Sequence, residues 1–272
     1  MKKMLKIVCI GAAMAILVIG SIANGELLSR YEFQGSWANI GKSTVALTPY
    51  GGAVLGVAGV DPGANRGLPL QNYPLQNDAN IQSSTSWLQA GYDTTLDAAN
   101  GGITTQMTIA SWVKYTSTST SMQRIMGRGY SWYIDANTDG GAHQQYALFV
   151  VRDSANTSVV LGLQGDISIG DGLWHHVAAT WDTATGVQSL YIDGVLDATQ
   201  NTGVKTSINQ DSRYAIGARA TSATVGTSIY RGRVDDVRVY NTVENISNVI
   251  PEPTTIALIS LGSMLIFRRR KA

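Results

Sequence analysis

The sequence predicts an all-β fold, a sandwich of two antiparallel sheets, and three observations predict it. Only 14% of the 272 residues are charged, against about 25% in average soluble domains. Glycine fills 29 positions, Ser and Thr together 48, with 12 Tyr and 6 Trp. Such a composition suits strands and turns, since aromatic and β-branched side chains pack on a pleated surface and glycine serves tight turns. From about residue 105 onward, short runs alternate apolar and polar positions, and Gly- and Asp-rich turns separate them. No stretch of this region sustains helical periodicity.

The chain opens with Lys2, Lys3 and Lys6, an uncharged apolar run from Ile7 to Ile19, and small residues at Ser21 and Ala23. This order predicts a secretory signal peptide over residues 1–23, cut after Ala23. Its thirteen apolar residues fall short of the roughly 17–25 that a spanning helix needs. The single Cys9 lies inside this run, so the exported domain has no cysteine. A disulfide framework and any multi-cysteine metal or redox motif are excluded.

Residues 24–248 are expected to form one β domain. Its first part, 24–105, is rich in Gly, Asn, Gln and Ser, and its strands are hard to place. Leu28–Phe33 sets Leu28, Arg30 and Glu32 against Ser29, Tyr31 and Phe33, which predicts one charged and one aromatic face. Further on, Met107, Ile109 and Val113 fall on one side of a strand and Trp112 on the other. Tyr146–Val151 is apolar throughout, as in a strand covered on both faces. Trp174–Trp181 sets Val177, Ala179 and Trp181 against His176, Ala178 and Thr180. After Val187–Ile192, the dipeptide Asp193-Gly194 predicts a type I′ hairpin, whose two central residues need positive φ. In Arg233–Tyr240 the apolar positions Val234, Val237 and Val239 break the period, which predicts a β-bulge at Asp235-Asp236.

The last segment, 249–272, reads Pro251-Glu252-Pro253, an apolar run Thr254–Phe267, then Arg268, Arg269, Arg270 and Lys271. It predicts a short C-terminal transmembrane helix whose basic cluster stays cytoplasmic. The formal net charge of +1 therefore sums unlike parts. Between 24 and 250 there are 13 basic and 18 acidic residues, a net charge of −5, with no basic clustering. This argues against a nucleic-acid partner, which needs a concentrated basic patch.

Several blocks carry a resemblance: Thr108–Lys114, Ile125–Gly129, Gly172–Asp182, Leu190–Val195, Ala215–Gly217 and Gly232–Asn241. In order and spacing they resemble a laminin-G-like domain of the concanavalin A-like superfamily, which implies a two-sheet antiparallel jelly roll. The C-terminal order of Pro251, Glu252 and Pro253, an apolar helix, and Arg268, Arg269 and Arg270 resembles the PEP-CTERM sorting signal of Gram-negative bacteria. That resemblance implies processing by an exosortase, transient residence in the inner membrane, and sorting to the envelope or an exopolysaccharide matrix.

Candidate chemistry follows from the residues. Glycoside hydrolysis needs two carboxyl groups held across one bond, and the Glu-x-Asp-x-Glu run usual in related hydrolases is absent. The acids sit instead in turn dipeptides such as Asp139-Gly140, Asp171-Gly172, Asp182-Thr183 and Asp193-Gly194. Adjacent strand residues point to opposite faces, so His175 and His176 cannot readily share one metal, and structural packing is expected for both. Laminin-G-like domains often hold calcium, which takes six to eight oxygen ligands; Glu32, Asp235 and Asp236 could supply some if the terminal strands pair. The alternative is that Asp236 pairs with an arginine and Glu32 faces solvent. Trp37, Trp87 and Trp132 could stack on sugar rings, and Trp132 is expected to be the exposed one; Trp112, Trp174 and Trp181 are expected in the core.

These readings converge on an exported, non-enzymatic module binding polysaccharide or an extracellular protein. The alternatives are a glycan-active hydrolase or lyase and a purely structural matrix protein.

Overall fold

The computed structural model describes residues 25–33, 36–51, 53–55, 79–81, 87–115, 122–138, 145–153, 160–203, 205, 208, 213–220, 222 and 226–250. The expected signal peptide, Pro251, Glu252, Pro253, the C-terminal apolar run and Arg268–Arg270 lie outside them. Among the described residues no helix is long and apolar enough to cross a membrane.

The strands in chain order are β1 (Leu27–Tyr31), β2 (Thr48–Tyr50), β3 (Val54–Leu55), β4 (Ala79–Ile81) and β5 (Trp87–Gly91). Then come β6 (Gln106–Tyr115), β7 (Gln123–Arg128), β8 (Trp132–Thr138), β9 (Gln145–Arg152), β10 (Val160–Ser168) and β11 (Trp174–Asp182). The last are β12 (Val187–Ile192), β13 (Val195–Asn201), β14 (Tyr214–Ile216), β15 (Arg219–Ala220), β16 (Gly226–Thr227) and β17 (Gly232–Tyr240), followed by one helical turn, α1 (Ile246–Val249).

They build two large sheets. One has the order β13-β12-β11-β6-β17-β4-β3, with β1 also paired to β17; the other runs β10-β9-β8-β7-β14-β5-β2. All of these pairings are antiparallel. The result is the all-β, two-sheet antiparallel jelly roll that the sequence predicts.

Alternation decides what enters the core between the sheets. Met107, Ile109 and Val113 of β6 meet Val177, Ala179 and Trp181 of β11 there, joined from the opposite sheet by Trp132, Ile134, Phe149 and Val151. The opposite sides of β6 and β11 carry Trp112, Ala110 and Ala178, as the period-two pattern predicts. β1 is less regular, because its register against β17 shifts between Leu27 and Ser29. Leu28 therefore joins Tyr31 and Phe33 in the core instead of lying with Arg30.

The turns follow their chemistry. Asp193 and Gly194 have φ of 52° and 82°, both left-handed as a type I′ hairpin needs. The register between β17 and β6 shifts between Asp235 and Arg238, and Asp236 has φ of 46°; this is the expected bulge.

Two further features position the site. The Asn245 side chain caps α1 by accepting from the Ser247 amide. The helix packs Ile246 and Val249 onto Ala110, Ala178 and Tyr240, on the outer side of the β6–β11 sheet. Ile250 continues onto Trp112 and Trp174, so the packed structure reaches Ile250, just before Pro251. On the other sheet, the β15–β16 hairpin lies over Trp87, Ala215 and Ala218. It covers β14 and β5 and reaches β7, and among the described residues the outer sides of β8 and β9 carry half-buried side chains beyond it.

Candidate functional site

The outer face of β7 to β9 is built from alternate residues of three strands. Inward positions of β8 and β9 are Trp132, Ile134, Ala136, Ala147, Phe149 and Val151, so Tyr133, Asp135, Tyr146, Leu148, Val150 and Arg152 face out. Tyr133, Tyr146 and Leu148 are half-buried. Gly127 stands opposite Tyr133 in the register, and a Cβ at 127 would collide with that of Tyr133. Gly162 lies on the other flank, where a Cβ would touch Leu148 and Val150 at 3.7 and 3.8 Å. Among the described residues, two glycines thus flank a shallow strip of half-buried apolar and aromatic side chains.

Arg124 anchors the strip from β7. Its Nε donates to Asp135 Oδ1 at 2.5 Å and its Nη1 donates to the Gly129 carbonyl at 2.5 Å. Its guanidinium carbon lies 3.5 Å from the Tyr133 ring centroid. Arg124 and Asp135 are both buried, so each compensates a charge that would be costly alone. Burial pushes the Tyr133 hydroxyl up from its ordinary value, while the Arg124 charge opposes that and Asp135 adds to it.

The bond to the Gly129 carbonyl folds the β7–β8 turn over the face. At its tip Tyr130 is 48% exposed. The guanidinium carbons of Arg152 and Arg219 lie 4.8 and 4.5 Å from its ring centroid, and Arg219 Nη1 donates to the Tyr130 hydroxyl. Aromatic quadrupoles hold cations this way. Two tyrosines, three arginines and one carboxylate therefore share one corner of the sheet.

A second polar cluster joins the terminal strands. Arg30 bonds Glu32 at 2.6 Å and Asp236 at 2.9 Å, and Arg238 bonds the same Asp236 carboxylate at 3.0 and 2.5 Å. Asp235 Oδ1 accepts from the Asp236 amide at 2.7 Å. Burial works against the Arg238 charge, but Asp236 beside it outweighs that and holds the guanidinium above its ordinary value.

A third cluster holds His175 between two acids. Its Nδ1 lies 2.9 Å from Asp193 and its Nε2 3.0 Å from Asp171. Burial lowers its pKa, yet the hydrogen bonds and charges of Asp193 and Asp171 together leave it raised. The cluster ties the 170–173 turn to the β12–β13 hairpin.

Residues 89–249, more than half of the chain, match the family described as the concanavalin A-like lectin/glucanases superfamily, as Laminin_G_3. The chain belongs to this superfamily. Residues 249–271 match the PEP-CTERM protein-sorting motif, which marks export and sorting to the envelope or exterior of Gram-negative bacteria. No curated protein matches the chain significantly. Similar solved structures share the fold at low identity. Domain 4 of AbnA, an extracellular arabinanase of glycoside hydrolase family 43 from Geobacillus stearothermophilus, in complex with arabinotriose, is 16% identical. It has a TM-score of 0.56, covering 83% of this chain and 97% of that one. The binding domain of botulinum neurotoxin DC in complex with SialylT is 13% identical with a TM-score of 0.56 over 83% of this chain. The binding domain of Paraclostridial Mosquitocidal Protein 1 is also 13% identical, with a TM-score of 0.57 over 82% of this chain. This chain spans about half the length of those two toxin chains, 50% and 51%.

Within the concanavalin A-like domain one expectation needs correction. Trp132, expected at the surface, is fully buried: it begins β8 pointing between the sheets, where it lies 5.7 Å from the Tyr214 ring. It cannot stack on a sugar. Glu32 and Asp236 do come together near Asp235, because β1 pairs with β17, but around arginines. Asp236 does not fit a calcium ion as it stands, since both its oxygens accept from guanidinium groups, whose charge repels a cation there. Among the described residues no group of three or more His, Cys, Asp or Glu is placed to hold a metal.

Trp112, Trp174 and Trp181 are buried as expected; Trp87 is buried too, stacked on Tyr50 at 4.6 Å, and Trp37 is half-buried against Phe33. The residues missed from sequence are Tyr130, Tyr133, Arg124, Arg152 and Arg219. One signal was available for Tyr130: it follows Gly129 in a turn, two residues before a strand begins.

Proposed function

We propose that this protein is an exported, non-enzymatic module that binds polysaccharide on the outer face of β7 to β10, displayed in the cell envelope or extracellular matrix. The observation that carries the reading is the half-buried strip of Tyr133, Tyr146 and Leu148, bounded among the described residues by glycines and by the Tyr130 turn. Sugar rings present C–H faces that pack on such apolar and aromatic surface, while their hydroxyls need donors and acceptors at its margin, here guanidinium groups. The related fold of an arabinanase domain solved with arabinotriose supports a sugar ligand. The sorting motif supports processing by an exosortase after passage through the inner membrane.

A glycan array probed with the purified protein tests the reading. Specific retention without release of reducing ends is expected. Turnover of a bound glycan would replace binding by catalysis, and silence across the array would leave a structural matrix role.

A further inference from the structure

We infer that the Tyr130 corner selects an anionic polysaccharide, one carrying carboxylate or sulfate groups, over a neutral one. The inference deepens the proposed function and rests on it.

Arg219 is the residue on which the inference turns. Among the described residues its guanidinium meets no carboxylate: its contacts are the Tyr130 hydroxyl and the Tyr130 ring. Its Nε is buried and has no hydrogen-bond partner among them. Four arginines differ from it in this respect, since Arg30, Arg124, Arg128 and Arg238 each face an acid at 2.5–2.9 Å. A buried donor on a charged group left unmet is costly, and that cost persists only where something repays it.

The surroundings add to it. Arg152 approaches the same ring, at 4.8 Å against 4.5 Å for Arg219. The two charges are therefore at most about 9 Å apart, within a Debye length of roughly 10 Å at 0.1 M salt. Asp135, the acid on this face, is taken by Arg124. Tyr130 thus acts as a post that gathers two like charges at the edge of the strip. It does so in a domain that carries 13 basic and 18 acidic residues over 24–250. Charge concentrated against the overall sign points to a ligand of opposite charge. A guanidinium fork suits carboxylate and sulfate oxygens, which it meets in pairs. The site is one corner and not a stripe, so it fits a sugar acid seated beside an apolar strip better than a nucleic-acid backbone, which requires many such contacts.

The test measures retardation of the purified full chain in gels containing polygalacturonate, sulfated dextran, unmodified dextran or arabinan, at 50 and 500 mM salt. The expected result is retention by an acidic polymer that falls at least tenfold between the two salt concentrations. Arg219→Gln should reduce it at least tenfold, and Arg219→Lys, which keeps the charge, should reduce it less. Thermal melting of both variants separates lost binding from lost folding. Equal retention by neutral and acidic polymers, insensitive to salt and to Arg219→Gln, would overturn the inference and leave polysaccharide binding standing. No retention by any polymer, with silence on the glycan array, would overturn both. Full competition by a single-stranded oligonucleotide would overturn the sugar component.

Discussion

The outer faces of the two sheets begin from similar material and end differently. On β6 and β11, Trp112, Trp174 and His176 face outward, and α1 with Ile250 covers that side. On β8 and β9, Tyr133, Tyr146 and Leu148 face outward, half-buried. Among the described residues the β15–β16 hairpin packs on β14 and β5 and reaches β7 and, through Arg219 on Tyr130, the β7–β8 turn. The larger aromatics were thus consumed by packing, while smaller tyrosines beside arginines stayed available. An aromatic residue marks a binding surface only when no segment of the chain is left to cover it.

Breaking the covered face should cost the most. Trp174→Ala is expected to lose about 3–5 kcal/mol of stability, as for other large-to-small core changes, measured by denaturant unfolding. Ile246→Ala, which loosens α1, should cost about 2 kcal/mol. It should also shift tryptophan fluorescence to the red as Trp112 and Trp174 meet water. A normal spectrum in that variant would show that the covered and open faces do not differ in the way described.

His175 gives a smaller, pH-dependent effect. Its pKa is raised in the folded state above the ordinary 6.5. The cluster's stabilisation is therefore fully present below 6.5 and is lost as pH rises through the folded value. The stability difference between the protein and His175→Gln should be larger at pH 5.5 than at pH 8.5. An equal difference at both would remove the two acids from the explanation.

The open face should respond least in stability and most in binding. Tyr130→Ala is expected to cost about 1 kcal/mol of stability, the scale of exposed cation–π contacts, while weakening retention by acidic polymers. Last, adding calcium or a chelator should leave the melting temperature unchanged, because Arg30 and Arg238 already neutralise Asp236. A rise with calcium that disappears in Asp236→Asn would restore Glu32, Asp235 and Asp236 as its ligands.

Much of the fold was legible because it is local. The alternations in 107–113 and 174–181 sort core from surface side within one strand, and Asp193-Gly194 names its own turn. The Asp235-Asp236 bulge was legible too, since an extra residue breaks a period of two. The first strand was not, because the irregularity between Leu27 and Ser29 arises only in pairing with β17. The candidate site was the least legible part. Trp132 and Tyr130 are two residues apart, and which of them reaches solvent depends on the Arg124 bond that folds the turn back from Gly129.

By itself, the sequence determined an exported, acidic, cysteine-free β-sandwich with a sorting motif at its end, because alternation, turn chemistry and terminal charge are written in neighbouring residues. Only the tertiary structure decided which sheet face stays open and which acids are neutralised. Both depend on segments far apart in the chain: α1 against β11, the β15–β16 hairpin against β5, and Arg30 against Asp236. Burial of a face is a property of what lies over it, and no local pattern encodes that.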